Sequence, residues 1–147
     1  VSSTPRPFLD LAASCACGAV VVRVRGSAVI MLLCSCLDCQ KATGSGHSAV
    51  VGVLTEAVEV TGETRSFARP ADSGAVFTRS FCPICGTPLG GRSSRTPAFA
   101  LLPVGLFGAA SDWFLPNQLI FARSHHEWDA IAAELPRHAT YRPADRL

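Results

Sequence analysis

The seven cysteines of this chain fall into three tight groups, Cys15-x-Cys17, Cys34-x-Cys36-x-x-Cys39 and Cys82-x-x-Cys85. Thiolates at such spacings suit metal ligation, because two sulfurs on one turn can reach a single ion. The segment "CPICG" at 82–86 is the strongest element, since the glycine after the second cysteine permits the tight turn that aims both sulfurs inward. Such a knuckle needs a partner pair to complete a four-thiolate zinc site. Cys15 and Cys17 would supply it and leave the triplet whole. Two of Cys34, Cys36 and Cys39 would also supply it and leave Cys15 and Cys17 spare. The count suggests the first division, a closed set of four that is structural and an open set of three that is the pattern of a catalytic zinc.

A zinc held by three thiolates carries about one negative charge overall, which weakens its Lewis acidity relative to a three-histidine site. It is a poor generator of hydroxide and suits a soft fourth ligand, above all the thiolate of a small-molecule thiol. That thiol would have a lowered pKa and would stand beside an electrophile such as an aldehyde. On this reading the fourth ligand is the substrate.

The segment "KATGSGH" at 41–47 follows the triplet. Lys41, Gly44, Ser45 and His47 are candidates to line the open position, with N–H groups of the turn meeting a substrate carboxylate and His47 shuttling a proton if it faces the triplet. The plainer reading is a connector into the next strand. Arg92 and Arg95 in "GGRSSR" are candidates for carboxylate binding, a solvated loop being the plainer reading. His125 and His126 are expected to be exposed and are not needed as ligands. Phe77, Phe81, Trp113 and Trp128 read as core or wall.

The elements that position these groups are mostly strands. Val20, Val22 and Val24 alternate with Arg23 and Arg25, "GS" at 26–27 fits a two-residue hairpin loop, and "AVIMLLC" at 28–34 reads as the returning strand. That hairpin would set Ala19 opposite Cys34 and Cys17 near Cys36. "SAVVGVL", "VEVTG", "RSFA", "AVFTRSF" and "AFALLPV" read as further short strands. Ser124 and Glu127 form a capping-box pattern ahead of Trp128, Ile131, Ala132 and Leu135 on one face, and Pro136 would stop this helix. Residues 1–14 read as an arm, 15–138 as the zinc-binding domain and 139–147 as a tail. The class is mostly β with one short C-terminal helix.

At 147 residues, 48% hydrophobic and 16% charged, the chain suits one globular domain. The net charge of +2 comes from scattered cations, so no nucleic-acid surface is expected. The most apolar run, 19–34, is broken by Arg23 and Arg25, so no membrane span is expected. No leader pattern is visible, so the cytoplasm is the expected compartment, where cysteines persist as thiols or metal ligands. An odd number of cysteines also argues against a disulfide framework. Oligomeric state is not legible.

"CACG", "CSCLDCQKATG" and "FCPICGTPL" resemble the three signature blocks of the glutathione-dependent formaldehyde-activating enzyme family, which also includes centromere protein V. The closing "LIFARSHHEWDAIAAELPRHA" is similar to the family's usual end, and the likeness runs from Cys15 to His138. Ser35 and Gln40 stand where the family usually has His and Arg, and "VGLFGAASDW" at 104–113 replaces its usual Gly-x-Leu-Asp turn. The resemblance implies a β-tent fold of small antiparallel sheets around two zinc ions per chain. It implies a structural zinc on Cys15, Cys17, Cys82 and Cys85 and a catalytic zinc on Cys34, Cys36 and Cys39. The implied activity is that of a carbon–sulfur lyase joining glutathione, or a similar thiol, to formaldehyde or a related electrophile. Two other readings are a non-catalytic zinc scaffold for a protein partner and a thiol redox sensor. A scaffold has no use for three additional clustered thiols, which favours the enzyme.

Overall fold

The computed structural model describes residues 6–143. Leu9, Leu11 and Ala13 point inward along β1 (Phe8–Ser14) while Phe8, Asp10, Ala12 and Ser14 point out, the two-residue period of a half-buried strand. β1 pairs antiparallel with β2 (Val21–Ser27), from Phe8↔Ser27 to Ser14↔Val21. On its other edge β2 pairs with β5 (Val58–Thr61), completing a three-stranded sheet. The second sheet takes the spatial order β10 (Leu119–Ile120), β3 (Ile30–Cys34), β4 (Ser48–Leu54), β9 (Phe99–Pro103), β8 (Pro88–Ser93), β7 (Val76–Phe81) and β6 (Arg65–Pro70). Its ladders are antiparallel except that of β10 with β3. β8 and β9 register only at Gly91↔Leu101, so the sheet divides there into two smaller halves.

The core lies where these sheets meet. Leu9, Val22 and Val24 from the first pack with Met31, Val51, Val53, Ala100 and Leu102 from the second. Full burial of each such side chain contributes about 1.5–3 kcal/mol, and this apolar burial drives the sheets together. The one α-helix of the described residues is α1 (Leu37–Thr43), between β3 and β4. No helix of the described residues is long and apolar enough to cross a membrane.

The class is the mostly β one expected, but three expectations about elements are corrected. The segment 20–34 is not a hairpin. β2 and β3 belong to different sheets, and the chain passes between them at buried Ala28, whose N–H donates to Pro7 O, while Val29 N–H donates to Gly52 O. β1 competes for the edge of β2 with its own alternating apolar face and wins, so the second half of the expected arm, from Phe8 to Ser14, is a strand; residues 1–5 lie outside the described range. The C-terminal helix is also absent. Residues 125–136 run through tight turns, with Asp129 N–H donating to His126 O and Leu135 N–H to Ala132 O. A short helix holds only when its apolar face packs, and Trp128 is 69% exposed here. Asp129 and His126 instead bond to residues near α1, and Leu119 N–H takes Pro136 O. Thr140 and Tyr141 of the expected tail pack back, Thr140 O accepting from Phe121 N–H and the Tyr141 ring meeting Phe121 edge-on at 4.9 Å.

Candidate metal centres

Two hairpin turns build the first centre. Cys15, Cys17 and Gly18 close the turn from β1 to β2, with Cys15 N–H donating to Val20 O and Gly18 N–H to Cys15 O. Cys82, Cys85 and Gly86 close the turn from β7 to β8 in the same way, Cys82 N–H to Thr87 O and Gly86 N–H to Cys82 O. Gly18 and Gly86 have φ of 79° and 77°, left-handed backbone that favours glycine. The four sulfurs lie within 4.8 Å of one another, with Cys15–Cys17 at 3.6 Å and Cys17–Cys82 at 3.7 Å. A tetrahedral zinc with Zn–S bonds of about 2.3 Å needs sulfurs about 3.8 Å apart, so the set fits such an ion. N–H groups from Val20 and Ile84 donate to the sulfurs of Cys15 and Cys82. The Thr87 hydroxyl accepts from Ala16 N–H and lies 3.1 Å from Cys85 Sγ, joining the two turns. A metal here clips the three-stranded sheet to the β6–β8 half of the other.

The triplet forms a separate group, also within 4.8 Å sulfur to sulfur. Cys34 ends β3 and is buried, Ser35 is fully buried, and Cys36 is the N-cap of α1, its Sγ accepting from Cys39 N–H at 3.3 Å. One strand end and one helix start thus aim three sulfurs at a common point. Three thiolates leave one position of a tetrahedral ion without a protein ligand from this set.

The thiols divide charge unevenly. Cys36 is pushed down to about 2, because Cys34 and then Cys39 donate to its sulfur, with the Cys39 N–H and the Arg69 guanidinium adding to this against desolvation. Cys34 is pushed far up by its bonds to Cys36 and Cys39 and by burial. Two further protons must leave for all three sulfurs to ligate, which a divalent cation drives, so metal binding weakens as pH falls. In the four-sulfur set the Thr87 hydroxyl and backbone hold Cys85 down at about 5.

The family model described as "Glutathione-dependent formaldehyde-activating enzyme" matches residues 10–124. The chain belongs to this family. No curated protein matches the sequence. A crystal structure of a Rhodobacter sphaeroides protein shares the fold, with a TM-score of 0.56 at 14% identity over 70% of this chain and 93% of that one.

The formaldehyde-activating family usually has Arg where this chain has Gln40, and here the amide acts as a tie. Gln40 Nε2 donates to Ser35 O at 2.9 Å and Ser124 O at 3.0 Å, while its Oε1 accepts from His126 Nε2 at 2.9 Å. His126 stacks on Trp128 at 5.1 Å, so the histidine segment rests against α1 instead of standing free. Gln40→Ala removes all three bonds and is expected to cost about 1–3 kcal/mol, read as a lower urea midpoint with unchanged slope.

The triplet opens on a cavity of about 1950 Å³ that is lined also by Arg69, Phe77, Arg79, Arg95 and Tyr141. Arg69 pairs with Asp38 of α1 at 3.1 Å and lies over the Phe77 ring, and Arg95 stacks over Tyr141 at 4.1 Å. Five arginines (Arg6, Arg69, Arg79, Arg95 and Arg142) line this space against two aspartates, Asp38 and Asp72. His47 lines it as well; Lys41, Gly44 and Ser45 do not. Gly44 caps α1 with its N–H on Gln40 O, and Ser45 N–H goes to Thr43 Oγ1, so those amides are committed within the turn. Arg92 lies on β8, not in a loop. Thr87, Arg69 and Asp129 were not singled out by spacing. Only Thr87 carried a local signal, its place directly after the second knuckle.

Proposed function

We propose that the chain is a zinc-dependent carbon–sulfur lyase that forms or breaks the adduct of a small thiol with an aldehyde, glutathione and formaldehyde being the first pair to test. Its four-sulfur set would hold a structural zinc, and Cys34, Cys36 and Cys39 the reactive one. The observation that carries this reading is an open three-sulfur set at a cavity where five arginines face two aspartates. Zinc bound there would supply a fourth position for a soft thiolate and hold it deprotonated.

The remaining work falls to side chains. Arg79 lines the cavity and has no carboxylate partner among the described residues, which suits it to bind a carboxylate of the thiol. Phe77 and Tyr141 supply apolar wall that limits water around the reacting carbon. In the forward direction the C–S bond forms as the carbonyl π pair moves onto oxygen, and the thiol proton ends on that oxygen. A reducing cytoplasm, where the substrate thiol and the seven cysteines stay reduced, is the setting this chemistry needs.

The test is exchange spectroscopy on glutathione and formaldehyde at equilibrium. An interconversion rate that rises in proportion to added protein is expected. A rate fixed at the uncatalysed value would discard the enzyme reading and leave the zinc scaffold.

A further inference from the structure

His47 and Asp129 come from segments far apart in sequence and meet beside the triplet. His47 Nδ1 lies 2.6 Å from Asp129 Oδ2, with the carboxylate side chain only 10% exposed. The approach is built in, since a Cβ on Gly46 would lie 2.5 Å from Asp129 Oδ2 and exclude it. A carboxylate only accepts, so the proton of a neutral His47 ring sits on Nδ1 and the lone pair on Nε2. Among the described residues the ring has no other hydrogen-bond partner. It lines the cavity that holds Cys34, Cys36 and Cys39 and also a second opening walled by Ala130, Ile131 and Leu135. The ring is 26% exposed, enough to exchange protons with solvent. On the far side of the carboxylate, His125 Nε2 is 3.8 Å from Asp129 Oδ2 and 2.7 Å from Asp129 O, and Arg137 Nη1 is 3.4 Å from His125 Nδ1.

We propose that His47 is the proton carrier of the thiol–aldehyde reaction and that Asp129 is the residue positioning it, an inference resting on the function proposed above. Nε2 takes the proton of the incoming thiol. The sulfur lone pair then forms the C–S bond, the carbonyl π pair passes to oxygen, and Nε2–H returns the proton to that oxygen. The imidazolium formed between these steps keeps its Nδ1–H on the Asp129 carboxylate, which holds the ring in one orientation. Reversal breaks the C–S bond with the same groups in the opposite order.

The test compares wild type, His47→Ala and Asp129→Asn, each with its metal content and thermal unfolding measured. Exchange spectroscopy supplies the rate, with and without added imidazole, and nitrogen NMR supplies the His47 tautomer. His47→Ala is expected to lose about 10²-fold in rate, the lower end for general acid–base groups, and to recover part of it with free imidazole. A merely structural histidine would not be rescued. Asp129→Asn is expected to lose rate and to shift the ring away from the Nδ1–H tautomer, because an amide can donate to Nδ1. An active wild type whose rate survives His47→Ala, or a variant with normal metal and fold that imidazole fails to rescue, would overturn this inference alone. A wild type with no rate above background would remove the adduct chemistry and this inference with it.

Discussion

Cys82→Ser is expected to unfold the protein or strip most of its stability. The side chain is fully buried, and its sulfur lies 3.7 Å from that of Cys17 across the seam between the two sheets. A serine there shortens the ligand, weakens its affinity for a soft metal and leaves a hydroxyl in a site shaped for sulfur. Structural zinc in small domains contributes about 10–16 kcal/mol of apparent binding free energy, comparable with the whole stability of a typical domain at about 5–15 kcal/mol. The valine core would remain, yet the β1–β2 and β7–β8 turns would lose their common anchor. Near-ultraviolet circular dichroism and the urea midpoint read the result. A midpoint within error of wild type would show that the four-sulfur set contributes no folding energy.

Cys36→Ser is expected to do the reverse, leaving the fold in place and reducing the exchange rate to background. Cys36 caps α1 through Sγ, and serine is among the best N-cap residues, so the bond to Cys39 N–H can be kept. What is lost is the one thiol of the triplet that ionises readily, replaced by an alcohol that stays protonated. Near-wild-type stability with no catalysis is the expected pairing. Collapse of the fold would mean that the triplet is the structural site.

Much of this was legible in the sequence because it is local. A Cys-x-x-Cys-Gly turn carries its own geometry in a few residues, and β4, β5, β7 and β9 follow the short apolar runs closely. The pairing of Cys15 and Cys17 with Cys82 and Cys85 depends on which turns meet, which no spacing within one group specifies; the count of seven suggests it, the family resemblance implies it, and the sulfur distances bring those four together. The segment 20–34 failed as a hairpin for the same reason. Gly26-Ser27 suits a tight loop, but the choice was made by competition with β1 and by burial of Ala28 between sheets. The capping pattern at Ser124 and Glu127 was locally sound, and tertiary bonds from Gln40, His47 and Leu119 overrode it. Asp129 was invisible as a partner of His47 because that pair spans most of the chain.

Seven sulfurs grouped as four and three should make one closed and one open metal centre. Zinc per chain, measured by elemental analysis on anaerobically purified wild type and on folded Cys36→Ser, counts the occupied centres. The expected result is about two zinc ions falling to about one, with circular dichroism unchanged. One zinc in both proteins would contradict it, leaving the triplet without a metal and the redox reading ahead.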